Sequence, residues 1–142
     1  MKNKITLILL LFLSFGMAFG SWQDREMRRI DRKIRHTNKC KCLSKTQEID
    51  GASVKFYFTP KKIKLVRMVE KRVVNGATIY TTYFFDKKTS NLISVNQGVT
   101  VFYYQPSGYF SVLSSENFTP EEAKANSEKF SSLAKKYISK IE

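Results

Sequence analysis

The strongest constraint on this chain is the dipeptide Asn75-Gly76, which lies between two runs of β-branched and aromatic residues. Both residues tolerate a positive φ, as the two-residue turn of a β-hairpin requires. Such a turn pairs Val74 with Ala77 and thereby sets every other pair in the hairpin. Near the turn the hairpin should be solvated. It should enter the core toward its far end, at Val66, Met68, Tyr83 and Phe85.

One face of this hairpin alternates cations with aromatic rings. The register places Arg67 opposite Phe84 and Lys71 opposite Tyr80. Surfaces that bind carbohydrate or nucleic acid use this combination, because rings stack and cations neutralise charge. An ordinary exposed β-face has the same composition, with aliphatic stems lying over rings. These four residues are therefore candidates for binding, and the ordinary face is the simpler interpretation.

The two-residue period extends over residues 53–115 and predicts six antiparallel strands. Turn residues separate them, including Pro60, Gly98 and the segment Gln105–Gly108. Strands joined by such short turns favour a meander. A closed barrel is the alternative, but the strands are uneven in length.

A C-terminal helix is predicted over residues 120–141. Thr119 is a suitable N-cap, Pro120 suits the first helical position, and Glu122 completes a capping box. Its apolar stripe is wide enough to cover a sheet. The expected fold class is α+β, with a curved six-stranded meander, this helix packed on it and a shorter basic N-terminal helix.

The N-terminal helix carries a narrow apolar stripe, Met27, Ile30 and Ile34, at helical spacing. An ordinary helix docked along one edge on the domain explains it best, and a surface-seeking basic helix is the alternative. The arginines around the stripe are candidate binding residues. They are Arg25, Arg28, Arg29, Arg32 and Arg35.

Residues 1–20 have the pattern of an export signal, with two lysines, an apolar run and a small-x-small site that ends at Gly20. Cleavage before Ser21 would release an exported protein, periplasmic or secreted, without a membrane span. An uncleaved anchor is the alternative. The division expected is therefore a signal peptide (1–20), a basic helix with a cysteine-containing linker (21–45) and one α+β domain (46–142).

Charge points to the kind of partner. The chain has a formal net charge of +13, and removal of Lys2 and Lys4 leaves +11. An exported protein this basic is drawn to anionic partners: an acidic protein, a glycan or an envelope surface. Nucleic acid is not the expected partner. A basic surface without any partner is the alternative.

The only histidine, His36, and the only cysteines, Cys40 and Cys42, lie within seven residues. An exported chain favours a disulfide, either local or between two chains in a thiol-linked dimer. A ring closed between residues two apart stabilises little, and the neighbouring lysines favour the thiolate. Unpaired thiols without a role are the second alternative. A metal site on these three residues is disfavoured, because it lacks a fourth ligand and is surrounded by cations.

Three functional hypotheses remain. The first is a non-enzymatic exported protein, without a cofactor, that binds an anionic partner through the basic helix and the hairpin face. The second is a thiol-redox or metal-binding protein that uses Cys40, Cys42 and His36. The third is a small hydrolase, although the chain lacks the common catalytic motifs.

Overall fold

Seven antiparallel strands form one open sheet in which each strand pairs with its neighbours in sequence. The computed structural model describes residues 22–142, so the predicted signal peptide and its cleavage point lie outside the described residues. The strands are β1 (Leu43–Ile49), β2 (Ala52–Phe58), β3 (Leu65–Val74), β4 (Ala77–Phe85), β5 (Leu92–Gln97), β6 (Thr100–Gln105) and β7 (Gly108–Leu113). The helices are α1, described over residues 22–38, and α2 (Pro120–Ser139).

The α+β class and the meander are confirmed, but the prediction of six strands was wrong by one. The additional strand is β1, which pairs with β2 along its whole length. Its side chains are almost all exposed or half-buried, so it has no apolar alternation. The missed signal was the turn Asp50-Gly51, with φ of 49° and 79°, which repeats the geometry of Asn75-Gly76 at 51° and 79°.

The register set by Asn75-Gly76 is confirmed: Val74 pairs with Ala77, and the ladder continues to Arg67 opposite Phe84. The sequence pattern extends the strand before this turn back to Lys62, but the strand begins at Leu65. Residues 59–64 form a loop instead, closed by a hydrogen bond of 2.9 Å from Thr59 N to the Lys64 carbonyl.

Helix α2 covers one face of the sheet, as expected. Phe130, Ala134 and Tyr137 pack on apolar residues of β2 to β6. The capping box of Thr119 and Glu122 forms as predicted, with Pro120 in the first turn. The main core lies between this helix and the sheet, and it includes the predicted Met68, Tyr83 and Phe85. The predicted Val66 is also buried, but it lies outside this cluster.

A polar cluster lies within this core. The Tyr137 hydroxyl donates to the Glu70 carboxylate and accepts from Arg72 Nη2 at 2.9 Å. Arg72 Nη2 also lies 3.8 Å from Glu70 Oε2. Burial of Glu70, which is 4% exposed, is therefore offset by one hydrogen bond and one opposite charge.

Helix α1 packs across the opposite face of the sheet, so the sheet lies between two helices. Ile30 is buried against Phe84, Ile93 and Tyr103, which belong to three different strands. At the first described residue of the helix, the centroid of the Trp22 ring lies 5.7 Å from that of Phe110 on β7. The narrow apolar stripe is thus a docking surface, and the helix lies across a face rather than along one edge of the domain.

Candidate functional site

The face that carries α1 is only partly covered by it. The apolar partners of α1 come from β4 to β7, and its C-terminal end reaches β3, where Arg67 Nη1 donates to Asn38 Oδ1 at 3.0 Å. The remainder of this face, over β2, β3 and the outer part of the β3–β4 hairpin, has exposed or half-buried side chains. We call its cations and rings the open face. They are Lys55, Tyr57, Arg67, Lys71 and Tyr80.

A cation–aromatic stack forms the centre of the open face. Tyr57 and Arg67 are Cα partners on β2 and β3. The guanidinium carbon of Arg67 lies 4.0 Å from the centroid of the Tyr57 ring, and Lys55 Nζ lies 5.2 Å from it. Both cations are therefore held against one ring, where its quadrupole attracts them.

The predicted pairing of Arg67 with Phe84 is confirmed, but the ring on which Arg67 stacks is that of Tyr57. Arg67 and Phe84 are Cα partners, yet Phe84 is 4% exposed and packs beneath α1. Arg67 stacks instead on Tyr57, from the strand on its other side. Sequence reasoning missed Tyr57 and Lys55. The apolar stripe of α1 was the available signal, because the stripe must pack on apolar side chains of this face. Phe84 is one of them, which leaves Tyr57, on the other side of Arg67, as the ring available for stacking.

The second pair identified from the sequence is exposed. Lys71 and Tyr80 are Cα partners, and Tyr80 is 56% exposed. The next residue on this face of β3, Val73, is 63% exposed. The outer hairpin therefore presents a cation, an aromatic ring and an aliphatic side chain to solvent.

The five α1 arginines are exposed. Two of them, Arg28 and Arg35, share one side of the helix with Asp31 and Asn38, because these residues are spaced three and four apart. On this side Asp31 accepts a hydrogen bond of 3.0 Å from the Tyr103 hydroxyl, and Asn38 accepts from Arg67 of the open face. The remaining three are Arg25, Arg29 and Arg32, and Arg29 lies 3.6 Å from Glu26.

A cleft of about 480 Å³ lies on the other side of α1, between the helix, the residues that follow it and the ends of β2 and β4. Its walls are apolar at Val66 and Phe85 and cationic at the rim. The cationic residues are Arg29, Lys33, Lys87 and Lys88, with His36 beside them.

Asp86 is the acidic residue of this cleft. Burial raises the pKa of Asp86, but hydrogen bonds from Lys33 and from the Lys88 and Thr89 amides outweigh it and leave that pKa below its usual value. Lys33 donates to one carboxylate oxygen, and Lys88 N donates to the other at 2.7 Å. Asp86 thus joins α1 to the loop after β4 and does not act as a free carboxylate.

Cys40 and Cys42 form a disulfide, with Cα atoms 5.2 Å apart. Cys40 and His36 both line the cleft, whereas Cys42 is absent from its lining. Among residues 22–142, no three His, Cys, Asp or Glu side chains form a group that could hold a metal ion. The disulfide engages both sulfur atoms that the sequence offered, with His36, as metal ligands.

Comparison of the chain with protein-family models, with curated proteins and with solved structures gave no match in any of the three. Within residues 22–142, no helix has both the length and the apolar character needed to cross a membrane.

Proposed function

We propose that this chain is a non-enzymatic exported binding protein whose open face, together with the adjoining arginines of α1, holds an acidic polysaccharide. The observation that carries the proposal is the stack of Lys55 and Arg67 on Tyr57, next to the C-terminal end of α1. An acidic protein and an anionic envelope surface are the rival partners for the same charge.

The shape of the open face favours a polymer. Its cations lie on two neighbouring strands: Lys55 is on β2, and Arg67 and Lys71 are on β3. Arg67 and Lys71 are four residues apart, which is roughly 13 Å along a strand. Cations distributed in this way can contact successive anionic groups of an extended chain. The exposed ring of Tyr80 adds an apolar surface on which a sugar ring can stack, which a purely ionic contact would not need.

The stack also prepares the cations for binding. Arg67 is held by the Tyr57 ring and by Asn38, and its buried Nε has no hydrogen-bond partner among residues 22–142. A side chain fixed in this way loses less conformational entropy when it contacts an anion. Arginine also presents a planar fork that matches a carboxylate or sulfate.

The non-enzymatic part of the proposal rests on chemistry. The single histidine, His36, is exposed at the end of α1. The most buried acid, Glu70, hydrogen-bonds Tyr137 beneath α2, on the face opposite the open face. Neither arrangement supplies a general base beside a nucleophile.

The test compares two triple variants that lose the same charge. Lys55→Gln/Arg67→Gln/Lys71→Gln alters the open face, whereas Lys124→Gln/Lys129→Gln/Lys135→Gln alters the outer side of α2. Affinity for polygalacturonate and for a sulfated polysaccharide is measured by calorimetry across a range of salt concentrations. We expect the first variant to lose roughly tenfold or more in affinity and to show a shallower salt dependence, and the second to resemble the wild type.

Tyr80→Ala separates a polysaccharide from the rival partners. Loss of the ring should weaken polysaccharide binding several-fold and leave the retention on anionic vesicles unchanged. Equal losses in the two triple variants would contradict an open-face site. Binding to vesicles or to an acidic protein without binding to either polysaccharide would refute the assigned partner class.

A further inference from the structure

We infer that the Cys40–Cys42 bridge is a thiol–disulfide exchange site that accepts anionic thiols through the cleft beside it. This activity is independent of the proposed polysaccharide binding, because no residue of the open face lines the cleft or belongs to the bridge.

The bridge does not hold the fold together. Helix α1 is anchored by Ile30 in its own apolar cluster. Strand β1 is anchored by a complete ladder to β2, and Gln47 on it donates to the Lys140 carbonyl at 2.7 Å. The disulfide lies within the short connection between these elements, and only one residue separates its two cysteines. Its reduction should therefore leave the packing of both elements intact.

A bridge this short is suited to exchange. The entropy that a disulfide removes from the unfolded chain falls with the length of the loop it closes, so this bridge stabilises the oxidised form little. Disulfides that are exposed and add little stability are the labile ones. Cys40 and Cys42 are both partly exposed, so a thiol in solution can reach them.

The cleft supplies an approach path and a charge preference. Of the two cysteines, Cys40 lines the cleft. The cations Arg29, Lys33, Lys87 and Lys88 line it as well, and Asp86 is engaged by Lys33. Positive charge attracts an anionic thiol and favours the thiolate over the thiol. The apolar walls at Val66 and Phe85 leave room for the body of a small peptide.

The reaction balances with the thiol as reductant. A thiolate in the cleft attacks Cys40 Sγ, forms a mixed disulfide and releases Cys42 as a thiolate. A second thiolate then attacks the substrate sulfur of the mixed disulfide and releases Cys40. Two thiols lose two electrons to become one disulfide, the bridge becomes a dithiol, and its two thiolates take up the two protons. A low-molecular-weight disulfide reverses both steps and restores the bridge.

The first experiment measures charge selectivity on the intact protein. Reduction of the bridge by glutathione, which is anionic, and by cysteamine, which is cationic, is followed by alkylation and intact mass. Each rate is divided by the rate for an oxidised peptide of residues 37–45, which keeps the local lysines but lacks the cleft. We expect this ratio to be several-fold higher for glutathione than for cysteamine. Equal ratios, or a bridge that reduced glutathione in excess does not open, would overturn the proposal.

Variants then locate the site. Lys87→Glu/Lys88→Glu should lower the glutathione rate several-fold and leave or raise the cysteamine rate. Lys124→Glu/Lys129→Glu, on α2, is the matched control and should change neither rate. If both pairs act alike, only the net charge matters and the cleft has no role.

Single-cysteine variants identify which cysteine forms the mixed disulfide in the cleft. With oxidised glutathione, Cys42→Ser should form its mixed disulfide at Cys40 several-fold faster than Cys40→Ser forms one at Cys42. Similar rates would contradict attack through the cleft. The double variant Cys40→Ser/Cys42→Ser should unfold at the denaturant concentration of the wild type. A large loss of stability there would show that the bridge is structural and would also refute the proposal.

Discussion

The Arg67 guanidinium carbon lies 4.0 Å from the centroid of the Tyr57 ring, although the sequence pattern pairs Arg67 with Phe84. A double-mutant cycle with Tyr57→Leu and Arg67→Met should give a coupling energy of about 0.5–1 kcal/mol in urea unfolding, because the stack is partly exposed. A matched cycle between Arg67 and Tyr109, which packs on the opposite face, should give none. A coupling of zero in the first cycle would show that the stack contributes no stability.

The buried cluster of Glu70, Tyr137 and Arg72 gives a second prediction. Tyr137→Phe removes the donor to a carboxylate that is 4% exposed, and should lower the free energy of unfolding by about 1–3 kcal/mol. Glu70→Gln in the Tyr137→Phe background should restore part of that loss, because a neutral amide is cheaper to bury unpaired. Equilibrium denaturation at neutral pH compares both variants with the wild type. A loss in the double variant larger than in Tyr137→Phe would contradict this account.

Asp86 links stability to pH. Burial raises the pKa of Asp86, but hydrogen bonds from Lys33 and two amides outweigh it. The pKa in the folded chain therefore lies below the usual 3.8. A depressed folded-state pKa contributes stability that is present above the unfolded value of about 3.8 and is lost as the pH falls through the folded value. Asp86→Asn should therefore lower the free energy of unfolding at pH 7. The variant should also lose less of that free energy than the wild type when the pH falls below 4.

Lys33→Gln tests the cause of that shift. Without the ammonium group the pKa of Asp86 should rise toward its usual value, which NMR titration of the carboxyl carbon can follow. Asp50 also has a lowered pKa, because of hydrogen bonds from Lys136 and Lys140, so its resonance is the internal control and should not move. An unchanged Asp86 titration in Lys33→Gln would contradict the role given to Lys33.

The docking of α1 gives a fourth prediction. Ile30 and Phe84 are each 4% exposed and lie in the same cluster, whereas Tyr80 is 56% exposed. Phe84→Ala should lower the free energy of unfolding by about 3–5 kcal/mol and Ile30→Ala by about 2–5 kcal/mol. Tyr80→Ala should change it by less than about 1 kcal/mol. A large loss of unfolding free energy for Tyr80→Ala together with a small one for Phe84→Ala would contradict the burial of Phe84 beneath α1.

Local signals accounted for most of the elements. Asn75-Gly76 set the hairpin register because only certain residues tolerate its backbone geometry, and Thr119, Pro120 and Glu122 defined the start of α2. Strand β1 was missed because an exposed edge strand has no apolar face to produce a period of two. The turn that joins it to β2, Asp50-Gly51, nevertheless indicates a hairpin, because both residues tolerate a positive φ.

The candidate site depended on information that no local pattern contains. The sequence pointed to Arg67 and Lys71 but not to Lys55, since charge and alternation along one strand show which residues of that strand share a face. Which ring each cation meets depends on which strand lies on the other side and on what covers the face. Tyr57 comes from β2, and Phe84 is removed from the surface by a helix that precedes it by about fifty residues.

The sequence by itself determined the α+β class, the meander, the hairpin register and both helices, because these follow from turn residues, capping residues and periodicity within short windows. The tertiary structure alone decided that α1 crosses the sheet, that one part of the face stays open and that Cys40 lines a cationic cleft. Those features arise from contacts between residues far apart in the chain. Apolar burial drives such contacts without direction, so the partners are fixed only when the whole chain has packed.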